Sequence, residues 1–314
     1  MARGLLIGGG AAALVSGIAA AAFAVAVAVT QTPEAHVARY LDALAADDLP
    51  AAAALAGIEA GTALPLGDEG TPTTVRIVTA QDRAEGRVAV TAVYGSDGDA
   101  ATVIFTLEPA PAIAGVIPQW RFVDVPVSRI PVGVDQHTDV RVAGRAVTTP
   151  GPGQTAQVTA FIPAKVTVTN GEPFLDAASR SIRPVSSTTP AVLLAATPAP
   201  RLEREVERQL TELLDACAEQ EVLQPAGCPF GRVITGDRAI DRPVWMRADA
   251  PRASLSLSSN PGRFVLDATA TMRVEVTVQS LFDGAVSTLA EDVVADMTGI
   301  VVLGPDGPVV TVYP

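Results

Sequence analysis

The stretch Pro33-Glu34-Ala35-His36-Val37-Ala38-Arg39-Tyr40-Leu41-Asp42-Ala43-Leu44 opens a helix. Thr32 suits the N-cap, Pro33 the first helical position, and Glu34 the first turn, where the helix dipole favours an acid. Val37, Leu41 and Leu44 recur at helical spacing with Tyr40 beside them. Pro50 breaks or restarts the helix, and Gly57 can close the second piece, so helix is expected from 33 to about 56. Alternation then replaces the helical period. Residues 74–78, 87–94, 102–107 and 120–125 read as strands, and Gly95-Ser96-Asp97-Gly98-Asp99 as a hairpin turn. A helix followed by a curved antiparallel sheet is an α+β roll, packed helix on sheet.

Toward the C-terminus the strands continue without helices. Residues 139–142, 145–148, 157–161 and 165–169 alternate, punctuated by Pro150-Gly151-Pro152-Gly153 and Asn170-Gly171. A Ser/Thr/Pro/Ala-rich stretch over 186–200 reads as a linker, with Val192, Leu193 and Leu194 hinting at a strand inside it. A second helix covers 201–217, with an apolar stripe of Leu202, Val206, Leu210, Leu213 and Leu214 and mixed charge elsewhere. Strands resume after Cys228, at 244–248, 253–257, 263–266, 268–278, 293–302 and 309–313. Asp283-Gly284 and Asp306-Gly307 serve as hairpin turns there. Helix-then-sheet thus occurs twice. The expected division is 1–32 signal anchor, 33–127 α+β roll, 128–197 small β module and 198–314 C-terminal α+β module. The fold class is α+β: an N-terminal transmembrane helix, then helix-plus-antiparallel-sheet modules with a β-rich middle.

Residues 5–29, marked along their length by Leu5, Val15, Phe23 and Val29, contain no charge, and Ser16 is their one hydrogen-bonding side chain. As a helix these 25 residues reach about 37 Å, more than the roughly 30 Å hydrocarbon core of a bilayer. Arg3 precedes the run and no base follows closely, which directs the N-terminus to the cytoplasm and the bulk of the chain outside. Small-x-small triplets such as Ala24-Val25-Ala26 leave cleavage as a secreted form open, but the run is long for a cleaved signal peptide. A buried soluble helix is a further alternative, at odds with apolarity all round. The expected localisation is the cell membrane, single-pass, with the lipid bilayer as the partner of this helix.

Composition narrows function. The net charge of −12 repels phosphate backbones, so nucleic acid is not expected as a partner. Two His and two Cys in 314 residues leave little for a metal site, and no metal or cofactor is expected. Cys217 ends the second helix and Cys228 lies eleven positions on, without the Cys-x-x-Cys spacing of a redox pair. Outside the cytoplasm the two form a structural disulfide. His36 and His137 read as exposed, although an acid beside His137 would make it a candidate base. Asp97 and Asp99 read as turn residues, since the bidentate Glu of a calcium loop is missing. Tyr40, Tyr94, Trp120 and Phe122 belong to core packing or to a cavity between helix and sheet.

The anchor, the helix Val37-Ala38-Arg39-Tyr40-Leu41-Asp42-Ala43-Leu44 and the strand end Trp120-Arg121-Phe122 together resemble the NTF2-like (cystatin-like roll) ectodomains of bacterial single-pass membrane proteins. The segments Gly227-Cys228-Pro229-Phe230-Gly231 and Ser280-Leu281-Phe282-Asp283-Gly284 look like actinobacterial membrane proteins of the same layout, a family without an assigned activity. Enzymatic NTF2-like proteins hold acid/base residues in the cone of the roll. No His–Asp pair of this sequence maps there, so no catalytic residue is carried over. The expectation is a membrane-anchored extracytoplasmic protein of the cell envelope that binds an envelope protein or a small ligand. The alternative is an envelope-acting enzyme with an acid/base site in a roll cavity.

Overall fold

The fold was obtained as a computed structural model that describes residues 31–313 apart from 71, 73, 97 and 114–116. The expected anchor, with Leu5, Val15, Phe23 and Val29, lies outside the described residues, as does Asp97. The chain is mixed α+β, rich in antiparallel strands, with three α-helices among the described residues. None of these helices is long and apolar enough to cross a membrane. Two compact units are present. Among the described residues, one takes the chain up to Pro131 with Gln157–Thr167 and Ser181–Ala191; the other takes Val132–Ala156, Val168–Arg180 and the residues from Val192 onward.

In the first unit the helix is two helices, α1 (Pro33–Ala45) and α2 (Leu49–Ala56). The Thr32 hydroxyl accepts from the Ala35 N–H at 3.2 Å, and the Asp48 carboxylate from Ala51 N–H at 3.1 Å, so each start is capped. Gly57, at φ 77°, ends α2 in the left-handed region that costs glycine nothing. Four antiparallel strands follow in sequence order, β1 (Thr74–Asp82), β2 (Val88–Gly95), β3 (Ala101–Ile113) and β4 (Ile117–Phe122). The β1–β2 register slips between Ile77 and Thr79. This bulge leaves Val78 unpaired and carries β1 past the point where simple alternation ends it. Val37, Tyr40, Leu41 and Leu44 bury against Val90, Tyr94, Phe105, Leu107 and Phe122. Each large side chain so buried contributes roughly 1.5–3 kcal/mol. The Tyr40 ring meets Phe122 edge-on at 5.2 Å, and its hydroxyl donates to the Ile162 carbonyl at 2.7 Å.

The middle of the chain holds β5 (Val127–Val134), β6 (Asp139–Val142), β7 (Arg145–Thr148), β8 (Ala156–Phe161), β9 (Val166–Asn170), β10 (Leu175–Ala177), β11 (Arg180–Ile182), β12 (Val192–Leu194) and β13 (Ala196–Pro198). In the second unit β6 pairs with β7 and with the end of β9, and β10 pairs with β13. The stretch read as a linker is therefore built in. Leu194 and Ala196 are buried, and β12 runs parallel to residues 132–134 of β5.

The rest of the second unit is one helix on one sheet. Helix α3 (Pro200–Ala218) buries Leu202, Val206, Leu210, Leu214 and Cys217. The sheet holds β14 (Asp237–Ala239), β15 (Val244–Arg247), β16 (Arg252–Leu257), β17 (Arg263–Ser280), β18 (Val286–Gly304) and β19 (Gly307–Tyr313). Strands β14, β15 and β16 share one side of β17, β18 takes the other, and β19 is outermost. Strand β17 alternates strictly, with Phe264, Leu266, Met272 and Val274 turned inward. Where the sequence suggested a break at Asp267 the strand is continuous, because an acid on the outward face fits the period of two. Phe230 packs on Trp245 at 4.7 Å, and Trp245 donates to the Val222 carbonyl at 2.8 Å.

Candidate functional site

Cys217 and Cys228 are joined in a disulfide, with Cα atoms 5.9 Å apart, as their spacing predicts. The bond ties the end of α3 to the loop that precedes the sheet. Gln220 supports that loop by accepting from the Ala226 N–H at 2.8 Å.

The histidines behave differently from the sequence expectation. His36 is buried, its ring edge-on to Phe122 at 5.1 Å and its Nε2 3.0 Å from the Leu55 carbonyl. The N–H on Nε2 therefore donates to Leu55 and ties α1 to α2. Burial holds its pKa below the ordinary histidine value; the Leu55 hydrogen bond opposes that and Arg39 adds to it. The signal was available: His36 precedes Tyr40 by four positions and shares its inward face.

His137 does meet acids. Its Nδ1 accepts from the Asp139 N–H at 3.2 Å, and its Nε2 is 3.5 Å from the Glu172 carboxylate. Glu172 also accepts from the Phe174 N–H at 3.0 Å, and Asn170 donates to the Glu172 and Leu175 carbonyls, both at 2.6 Å. Both imidazole nitrogens thus face local groups that hold the β9–β10 turn beside β6. This arrangement braces a loop, and it engages the lone pair that a general base would use. Among the described residues no group of three or more His, Cys, Asp or Glu is placed to hold a metal ion.

A charged cluster with no sequence signal lies in the first unit. The Arg183 guanidinium donates to the Pro163 carbonyl at 2.7 Å, to Asp68 at 3.2 Å and to the Asp99 carbonyl at 3.2 Å, and it lies over the Tyr94 ring at 5.5 Å. Its side chain is 7% exposed and that of Asp68 3%. Lys165 pairs with Asp99 at 2.8 Å and holds that carboxyl below its usual range, with Arg183 contributing. Burial, with Asp68 nearby, raises the Tyr94 phenol pKa. The enclosed Arg183–Asp68 pair fixes loop positions, with the partly exposed Lys165–Asp99 pair beside it.

Two of the clefts among the described residues exceed 600 Å³. In the first unit one of about 610 Å³ lies beside residues 103–106 of β3, where pairing with β4 stops at Leu107 and a last bond runs from the Val123 N–H to the Thr106 carbonyl. Ile104, Val125 and Val185 on its walls are 62%, 44% and 52% exposed, with Asp124 and Arg129 among them. In the second unit one of about 660 Å³ lies between α3, the disulfide loop and β19. Tyr40, Tyr94 and Phe122 are core, as packing predicted, while Trp120 donates to the Gln31 carbonyl at 3.1 Å. Neither protein-family models nor curated proteins give a match to this sequence.

Proposed function

We propose that the chain is a membrane-anchored, extracytoplasmic binding protein of the bacterial cell envelope, held by residues 5–29 with its N-terminus in the cytoplasm. The first unit would serve as an NTF2-like roll of the kind found in actinobacterial single-pass proteins. Its binding partner would be an envelope protein or a small ligand. The observation that carries binding is the cleft beside β3. Three large apolar side chains surround it, each more than two-fifths exposed, with one acid and one base to orient what enters. Export is supported by the uncharged opening run and by the disulfide, which belongs to oxidising compartments.

The experiment is site-specific photocrosslinking in intact cells, with the photoreactive residue at Ile104 and a control at exposed Val78 on β1. The proposal expects one discrete crosslinked species from position 104, absent from the control and lost when Val125→Asp is added. Equal crosslinking from both positions, or none from 104, would remove the cleft from the account.

A further inference from the structure

The outer strand of the six-stranded sheet, β19, reads Gly307-Pro308-Val309-Val310-Thr311-Val312-Tyr313 and carries no charge. Sheet edges exposed to solvent are usually blunted by lysine, bulges or covering loops. On this strand proline is the device, at Pro308, and it reports which way the strand faces. A proline within a sheet turns its nitrogen away from its partner strand. Gln209 donates to the Pro308 carbonyl at 2.8 Å from α3, which places that carbonyl on the free side as well. The Thr311 carbonyl oxygen, by contrast, lies against Gly299 of β18, on the paired side. Antiparallel residues alternate between the two sides. The N–H and C=O groups of Val310 and Val312 therefore point outward, free of the ladder.

The same two residues direct their side chains toward the helix. Val310 is opposite Val301, which is fully buried, yet Val310 and Val312 are only half-buried among the described residues. Helix α3 overhangs that strip with Gln209, Glu212 and Leu213. Leu213 belongs to the apolar stripe of the helix but is not among its buried residues, since it faces this groove. Residues 227–229 of the disulfide loop line the groove as well. Arg208 and Glu212 both line the rim, and with Glu205 beside Arg208 the three side chains are net negative. Arg208 pairs with both Glu205 and Glu212, so two acids share one base, and Glu212 is 65% exposed.

We infer that the groove between α3 and the free edge of β19 receives an extended, basic-rimmed segment of a partner protein as a seventh strand. Val310 and Val312 supply main-chain hydrogen bonds, alternate apolar side chains of the segment enter against Leu213, and a Lys or Arg meets Glu212. This is strand addition, in which the backbone gives affinity and alternate pockets give specificity. Five residues of such a segment extend roughly 17 Å, within the length of β19. A second copy of this chain fits less well. Pairing β19 with itself would bring each copy's acidic rim against the other without an added base. The inference uses the second unit alone and does not depend on the cleft beside β3.

The test is selection of a random heptapeptide display library on the full-length protein in lipid nanodiscs, with binding of the selected peptides measured on variants. Val310→Pro deletes an outward N–H without removing a ladder bond. Leu213→Arg changes the helix wall without touching the strand, and it carries the comparison should Val310→Pro unfold. Selected peptides are expected to alternate apolar residues, to carry at least one base, and to bind about tenfold more weakly to each variant. Methylating a central peptide nitrogen should weaken binding to the wild type similarly. Failure to enrich any sequence, or equal binding to wild type and both variants, would overturn the site. Enrichment of acidic peptides would overturn the charge assignment. Concentration-dependent dimers abolished by Val310→Pro would show that the occupant is a second copy.

Discussion

Replacing Arg183 by methionine keeps most of the side-chain volume and removes its charge and donors. The wild-type guanidinium makes bonds of 2.7 Å to Pro163, 3.2 Å to Asp68 and 3.2 Å to the Asp99 carbonyl. With Arg183 gone, the Asp68 carboxylate stays 3% exposed and faces Tyr94 without its cation. Removing one partner of a buried pair costs about 3–5 kcal/mol. Asp68 keeps the Lys165 N–H at 3.1 Å and Asp99 keeps the Lys165 ammonium at 2.8 Å, so the lower end, about 3 kcal/mol, applies. For a unit of this size the melting transition should fall by roughly 10 °C. The assay is urea denaturation followed by tryptophan fluorescence. Trp120 and Trp245 report the first and second units separately, so a Trp245→Phe background isolates the first. Asp68→Asn combined with Arg183→Met should cost at least about 1 kcal/mol less than the sum of the single changes. A cost below about 1 kcal/mol for Arg183→Met, or strict additivity, would refute a buried and coupled pair.

Cys217→Ala with Cys228→Ala opens a loop of eleven-residue separation and should lower the stability of the second unit by about 3 kcal/mol, read by Trp245 fluorescence in a Trp120→Phe background. An unchanged urea midpoint would mean that the loop is held by other contacts. Because burial lowers the His36 pKa, the unfolded chain binds a proton there more readily than the folded one. Its contribution is complete above the unfolded value of about 6.5 and is lost as pH falls through the folded value. The first unit should therefore weaken between pH 7.5 and pH 5, and His36→Gln should flatten that slope; an unaltered slope would place its cause elsewhere. Tyr40→Phe leaves the buried Ile162 carbonyl without the hydroxyl donor, while the Pro126 carbonyl keeps the Ile162 N–H at 2.9 Å, and should cost about 1–3 kcal/mol in equilibrium unfolding, with no cost if water replaces the hydroxyl.

Much of the local structure was legible. Thr32 before Pro33 announced α1, Pro50 announced the restart at α2, and the leucines of α3 announced a helix laid on a sheet. The two Asp-Gly turns framed β17, β18 and β19. The long strands were underestimated where acids such as Asp267 and Asp292 interrupt the apolar run, although both sit on the outward face. Residues 186–200 looked like a linker by composition, yet Leu194 and Ala196 are buried and paired. Composition records the exposed residues of such a strip as strongly as the two that matter. The Arg183–Asp68 pair spans 115 positions and has no signature in any short window. The free edge of β19 depends on which strand is outermost, a property of the sheet that the strand's own residues do not encode.

Protease accessibility in intact spheroplasts, read with a C-terminal epitope tag after alkaline carbonate extraction, tests the central claim most directly. A chain anchored through residues 5–29 should stay in the membrane pellet and lose its tag to external protease without lysis. A tag protected until the cells are broken, or a chain recovered in the soluble fraction, would contradict it.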